Sequence, residues 1–320
     1  MLKTINAILF VLCAAFLLPL AAEQKNPLDG YATQKVSANT YVVPGPTEQP
    51  TVANQGFMNN PGFIVTGAGV VVVDPGSSHA IGKALLERIR EVTDKPVTHV
   101  FNTHVHGDHW LGNHAIFEAY PKVHIYAHPK MIEEAKAGTA QQWLDLIERL
   151  TDGASKGTEA VIPSIALEDG QVVKVGQQDF RIHLSEWAHT KTDAMIEVVN
   201  EKLLFTGDNV TFKRIPRMDD GSFRGNIAAV EKMLELPFEV IVPGHGPTGG
   251  RDEILKPYRD YLQTVYSEAS ALMEEGLEDF EMKDKILAKL KAYQDWAGFK
   301  DELGKHISLA VLEAEQAEFE

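Results

Sequence analysis

The chain has 320 residues, 44% of them hydrophobic and 23% charged, enough apolar material for one large core or two small ones. Acidic residues outnumber basic ones by 45 to 30 and no Lys/Arg cluster stands out, which excludes the electrostatic footprint of a nucleic-acid binder. The one cysteine is Cys13, so a chain lacking its first residues can form no disulfide.

Residues 1–22 read as a secretory signal peptide: Lys3, an apolar run from Ile5 to Leu18, then Ala21-Ala22 before Glu23. Export to the periplasm or secretion is therefore expected, with no stable membrane span once the signal is removed. After a polar, proline-containing stretch, residues 39–43 read as a strand. Residues 62–65 and 70–73 flank Thr66-Gly67-Ala68-Gly69 as a hairpin. Residues 79–92 carry Ile81, Leu85, Leu86 and Ile89 at helical spacing. Residues 96–101 form an apolar strand, residues 123–127 another, and residues 141–150 a helix. A second set of strands spans residues 172–205, with Asn200-Glu201 as its clearest turn. Beyond Gly250 the pattern changes: Tyr258, Leu262, Val265, Ala269 and Leu272 share one helical face, and Ile286, Leu287 and Leu290 suggest another. Residues 251–320 are expected to be a helical extension packed on a domain of residues 23–250, with a wall of the substrate site as its other possible role. The sequence carries no signal for a particular oligomeric state.

The chemistry concentrates in Asn102-Thr103-His104-Val105-His106-Gly107-Asp108-His109, directly after the residue 96–101 strand. Three imidazoles and a carboxylate within six positions need partners if buried, and a divalent metal supplies all of them. His104 and His106, two apart on an extended strand end, point the same way. Gly107 is read as permitting the turn that swings Asp108 and His109 to a second position. His189, Asp208 and His245 each follow a further apolar β-type run. Other histidines (His79, His99, His114, His124, His128, His183, His306) read as surface or supporting groups. Trp110 reads equally as cleft lining or core. Lys213, Arg214 and Arg217 read as a solvated loop, with a substrate-carboxylate anchor as the sharper alternative.

Together with Asp74 in Val72-Val73-Asp74-Pro75-Gly76, these motifs, in this order over residues 36–246, resemble the metallo-β-lactamase superfamily. The resemblance implies an α/β fold, a four-layer αβ/βα sandwich with its helical C-terminal extension. It implies two zinc ions per chain, one held by His104, His106 and His189 and the other by Asp108, His109 and His245. Asp208 would bridge them, and Asp74 would orient the loop. A hydroxide held between the metals would attack a small acyl substrate, thioester, ester, lactone or lactam, with Asp108 and Asp208 as the catalytic carboxylates. The bridging aspartate argues against a dedicated lactamase, although a β-lactamase of the all-His/Asp zinc class remains an alternative. His106 stands where oxygen-reducing di-iron members carry glutamate. An iron-dependent persulfide dioxygenase and a non-catalytic periplasmic accessory protein are further alternatives. The tail and the stretches 102–113, 188–193 and 219–225 look most like periplasmic zinc metallohydrolases associated with sulfur oxidation and quinoprotein systems.

Overall fold

The computed structural model describes residues 26–319, so the signal-peptide reading of residues 1–22 lies outside the described residues. The first half runs β1 (Gln34–Lys35), β2 (Thr40–Val42), β3 (Gly62–Thr66), β4 (Gly69–Val73), α1 (His79–Val92), β5 (Val97–Phe101), α2 (Gly107–Trp110), α3 (Asn113–Ala119) and β6 (His124–Ala127). It continues with α4 (Pro129–Glu134), a π-type segment (Ala135–Thr139), α5 (Ala140–Leu150) and β7 (Ile165–Ala166). The second half adds β8 (Val172–Val175), β9 (Gln178–Leu184), β10 (Ala194–Val198), β11 (Leu203–Thr211), α6 (Phe223–Glu235), β12 (Val240–His245) and β13 (Gly249–Gly250). Three helices close the chain: α7 (Arg251–Glu274), α8 (Asp279–Lys289) and α9 (Phe299–Ala317). α3, α4 and α6 escaped the sequence reading.

Strands β1 to β7 form one sheet in chain order, and the other runs β13-β12-β11-β10-β9-β8. Side-chain alternation shows how they stack. In β4, Val71 and Val73 enter the core between the sheets, while Val70 and Val72 face α1. In β10 and β11, Ile196, Val198, Leu203 and Phe205 enter the same inter-sheet core, while Met195 and Leu204 face the helices of the second half. The result is helix, sheet, sheet, helix: the expected four-layer sandwich with a helical C-terminal region. α1 starts where Ser78 accepts from the Ile81 amide, and Ile81, Leu85, Leu86 and Ile89 are its buried face.

The ends of β4, β5, β11 and β12 meet at one rim. β4 pairs in parallel with β5, and β11 with β12, whose register slips between Phe205, Gly207 and Thr211. That irregularity re-aims Asp208 out of the ladder. Gly207 has φ 51° and a Cβ there would strike Thr103; a Cβ on Gly244 would strike Asp208. Both glycines are needed for the two rims to close on each other.

Candidate metal centre

All seven residues singled out by sequence converge at this rim. His104, His106, His189 and Asp208 form one cluster and Asp108, His109 and His245 the other, with the donor atoms of each lying within 4.8 Å of one another. Every one of the seven is buried. The metal-loop reading is corrected in one detail. Gly107 begins the helical turn α2 and has no positive φ; a Cβ there would press into Trp143, so close approach is what requires glycine.

The outer nitrogens of His104, His106, His109 and His245 are held by the protein, which aims the inner ones, whereas His189 Nδ1 is buried without a hydrogen-bond partner. Asp74 sits at φ 51°, a left-handed backbone that aspartate tolerates. Its Oδ1 accepts from the Thr103 amide at 2.8 Å, and its Oδ2 accepts from Thr103 Oγ1 at 2.6 Å and His109 Nδ1 at 2.8 Å. Thr103 Oγ1, its proton given to Asp74, accepts from His104 Nδ1 at 3.0 Å. His106 Nε2 donates to Asp220 at 2.9 Å. The His189 amide donates to Asn209 Oδ1 at 3.2 Å.

The inner atoms crowd together. His189 Nε2 lies 3.0 Å from His106 Nδ1 and 3.6 Å from Asp208 Oδ2. His109 Nε2 lies 3.3 Å from His245 Nε2, 3.4 Å from Asp108 Oδ2 and 3.2 Å from Asp208 Oδ1. His245 Nε2 lies 3.3 Å from Asp108 Oδ2 and 3.1 Å from Asp208 Oδ2. Donors held tetrahedrally at about 2.0–2.1 Å from a zinc ion stand about 3.3 Å apart, so the spacing fits. Asp208 reaches both clusters, one oxygen toward His109 and the other toward His189 and His245. His104 Nε2 is buried and has no hydrogen-bond partner, an orphan that a cation would satisfy. The donor set, nitrogen and carboxylate oxygen without sulfur, suits zinc and related divalent ions. The two clusters fit a dinuclear metal site.

Electrostatics agree. Burial drives the His104 and His189 imidazoles toward the neutral form, His189 to about 3. Burial also opposes charge on Asp208 and Asp108, but the His245 and His109 imidazoles outweigh it and hold both carboxyls well below their ordinary range. Against the same burial, Asp208, Asp108 and Asp74 push His109 well above the usual value. The rim therefore demands positive charge, which a proton or a metal cation supplies.

A cleft opens over the clusters in two lobes of about 650 and 530 Å³ that meet at His106, Trp143, Leu146, Arg217 and Asp219. Trp143 on α5 lies with its ring 4.9 Å from that of His106, and the Arg217 guanidinium stands 5.6 Å over the Trp143 ring. Asp301, Glu302 and Lys305 on α9 line the larger lobe, so the helical extension does supply a wall. Trp110 is core instead, its Nε1 donating to the Val105 carbonyl. The solvated-loop reading fails for Arg214, which is only 6% exposed and lies beside His245. The reason is the turn after β11, which folds back under α9 through an Arg214–Ala297 bridge. Asp220 and Trp143 were missed: the first lies 114 residues from His106 and the second on a predicted helix with nothing to point it at the rim. His306 is core, accepting from Tyr261 at 2.9 Å.

Comparison with known proteins places this rim in context. A linear primary-alkylsulfatase of Pseudomonas sp. (strain ATCC 19151) is 23% identical over 254 residues, 68% of this chain and 48% of that protein. A hydroxyacylglutathione hydrolase of Gloeobacter violaceus is 26% identical over 171 residues, 53% of this chain and 56% of that one. The chain thus spans about half the length of the curated relatives it matches. Among solved structures, the sec-alkylsulfatase Pisa1 from Pseudomonas sp. superposes with a TM-score of 0.68 at 18% identity over 91% of this chain and 52% of its own. A metallo-beta-lactamase from Pontibacter korlensis gives 0.58 at 20% identity over 73% of this chain and 99% of its own. The family model described as the metallo-beta-lactamase superfamily matches residues 54–245, which hold all seven rim residues and Asp74. The chain belongs to the metallo-beta-lactamase superfamily.

Proposed function

We propose that this protein is a metal-dependent hydrolase that holds two zinc ions and cleaves a small acyl substrate, a thioester, ester or lactone. The observation that carries the reading is the pair of buried His/Asp clusters, joined by Asp208, on the floor of a cleft. When bound, the two ions supply an electrophilic pull on the scissile group and a nucleophilic water at neutral pH. His104, His106 and His189 would hold the first ion, Asp108, His109 and His245 the second, and Asp208 both. The chain's own part is orientation and proton handling. Asp74, Thr103 and Asp220 fix three imidazoles from behind, so little reorganisation is left for the reaction. Asp108, only 5% exposed yet lining the cleft, is placed to take a proton from the attacking water and return it to the leaving group. Trp143 and Leu146 line the cleft beside His106 and give it an apolar wall for the substrate. The leader-like sequence of residues 1–22 supports export, so that the activity would be carried out in the periplasm or medium.

A second reading is sulfate-ester hydrolysis. It is favoured by the reach of the alkylsulfatase likeness, 89–91% of this chain against 73% for the solved lactamases. β-Lactam cleavage is expected to be weak, because a carboxylate shared by both positions occupies coordination and charge that an amide leaving group needs, whereas a thiolate leaves unaided. The test is metal analysis followed by a panel of thioesters, lactones, β-lactams and alkyl sulfates on zinc-loaded protein. About two zinc ions with thioester or lactone turnover is the expected result. Turnover of alkyl sulfates alone installs the second reading, and efficient β-lactam turnover alone overturns the ranking.

A further inference from the structure

The two lobes of the cleft meet beside His106, so a substrate whose scissile bond lies at the rim can send an arm into each. The smaller lobe, of about 530 Å³, has room for a ring-sized group. Two tryptophans, Trp143 and Trp187, stand in its wall. Trp187 is held at both ring and backbone. Its Nε1 donates to the Asp220 carbonyl at 2.9 Å, and a Cβ on Gly225 would strike its own carbonyl. Even so, Trp187 is 40% exposed, whereas Trp110 and Trp296 are core. Rigid apolar surface held open beside a reaction site gains most from a ligand that covers it.

The charges of the lobe say which ligand that is. Each indole carries a cation over its ring: Lys191 Nζ at 4.8 Å from the Trp187 centroid, and the Arg217 guanidinium at 5.6 Å from that of Trp143. Both cations line the lobe. An aliphatic arm filling this space would strip water from them and return nothing. An aromatic arm compensates, because its face attracts a cation while its ring packs on an indole. An anionic arm is opposed by Glu134, Asp219 and Asp220, three carboxylates in the same lobe against two cations. Arg217 is already engaged by Asp219 at 2.8 Å, and among the described residues Lys191 has no carboxylate within ion-pair distance, which leaves its charge free to meet a π face.

We propose that the smaller lobe is the subsite for a neutral aromatic arm of the substrate, with Trp187 and its Lys191 partner as the specificity-determining residues. The aryl group packs on the Trp187 indole and shares the Lys191 ammonium with it. The remainder of the substrate crosses the rim beside His106 into the larger lobe. The substrate class is then an aryl-bearing ester or thioester rather than a short-chain or anionic acyl compound. The inference rests on the hydrolase reading above for the bond that is cleaved. The binding of the aromatic arm rests on the lobe's own residues.

Two measurements on zinc-loaded protein test it. Kinetics compare phenylacetyl with cyclohexylacetyl thioesters of one small thiol, and phenylethyl with cyclohexylethyl thioacetates. Each pair shares a carbon skeleton and differs in the π face of the ring. In one of the two series KM should be about three- to tenfold lower for the aryl member. Trp187→Leu should bring that ratio close to one. Trp187→Phe, which keeps a ring but not the bond to Asp220, should retain most of it, and Phe280→Leu, at an exposed aromatic on α8, should leave it as in wild type. Comparing both members within one variant cancels any loss of overall activity. The proposal is overturned by a wild-type ratio near one in both series, by a ratio that survives Trp187→Leu, or by one lost equally in Trp187→Phe. A carboxyphenylacetyl thioester bound better than its phenylacetyl parent also overturns it, in favour of an anion subsite. Independently, benzyl alcohol and cyclohexylmethanol are titrated against the indole N–H NMR signals of the four tryptophans, that of Trp187 being the one absent from Trp187→Leu. Benzyl alcohol should shift the Trp187 signal at the lower concentration, and no shift overturns the subsite. If Trp187→Leu does not fold, the wild-type ratio and Trp187→Phe decide. A shift without turnover of any acyl substrate would remove the hydrolase reading and leave the aromatic subsite standing.

Discussion

Asp220 meets His106 from a loop that sequence alone places nowhere near it, and the contact has a measurable consequence. The His106 Nε2 proton lowers the Asp220 carboxyl to about 2, so the group is an anion at any working pH. An anion behind the ring fixes its tautomer and strengthens Nδ1 as a donor toward the first cluster. Asp220→Asn can still accept the hydrogen bond but lacks the charge. It should weaken zinc binding at the first position by about 10–100-fold and leave thermal stability nearly unchanged, since the Asp220 side chain is 53% exposed. Chelator competition and a melting curve read both quantities; unaltered affinity would remove the role assigned to Asp220. Four of the seven rim residues were legible because imidazoles and a carboxylate crowd positions 104–109 at the end of an apolar run, and His189, Asp208 and His245 because each follows a further apolar run. Asp220, Trp143 and Arg214 were not, because what each does depends on which loop lies across the cleft, and no local pattern records that.

The turn at Asn200-Glu201 shows how an element that reads as punctuation can carry stability. Glu201 ends a 3-10 turn between β10 and β11, before Lys202 takes a left-handed backbone. Its carboxylate accepts from the Asn39 amide at 3.0 Å, Asn39 Nδ2 at 2.9 Å, Thr40 Oγ1 at 2.9 Å and Gln178 Nε2 at 2.8 Å. One side chain thus ties the second sheet to the loop that opens β2 in the first. Burial raises the carboxyl, but the Asn39 and Thr40 hydrogen bonds outweigh it, and the net shift is downward. A carboxyl lowered in the folded state binds more protons when unfolded, so its contribution is complete above the ordinary carboxylate range. That contribution is lost as pH falls through the lowered folded value. Glu201→Ala should cost roughly 2 kcal/mol at pH 7, discounted for partial exposure, and Glu201→Gln should flatten the loss of stability between about pH 5 and pH 3. Denaturant melts at several pH values check this, and a Gln variant as acid-sensitive as wild type would show that the carboxylate is not the cause. Strand positions were readable from period-two alternation. The pairing of this turn with residues 39–40 was not, since it joins two sheets that the sequence describes separately.

At the scale of the molecule, the helical extension is continuous with the domain before it. Phe212, Ile215, Met218, Phe223, Val230, Met233 and Ile241 share one core with Tyr258, Leu262, Val265, Leu303 and Ile307. The apolar face read from Tyr258 to Leu272 therefore covers the outer side of the second sheet. Glu313 near the chain's end adds a polar tie: it accepts from Ser222 Oγ at 2.6 Å and from the Phe223 amide at 2.7 Å, satisfying the first turn of α6. Each large side chain in that shared core is worth about 1.5–3 kcal/mol when kept from water, so removing the covering helices exceeds the net stability of an ordinary domain. A chain ending at Gly250 is accordingly expected to lose its cooperative melt and to expose apolar surface to a hydrophobic dye, whereas the full chain should unfold in one calorimetric transition. Glu313→Ala is the graded version: it removes the tie while keeping the core, and should lower stability by about 1–2 kcal/mol with two zinc ions still bound. A shortened chain that melts cooperatively with wild-type zinc content would mean that the sandwich stands alone. The cleft wall supplied by Asp301, Glu302 and Lys305 would then be the extension's whole contribution.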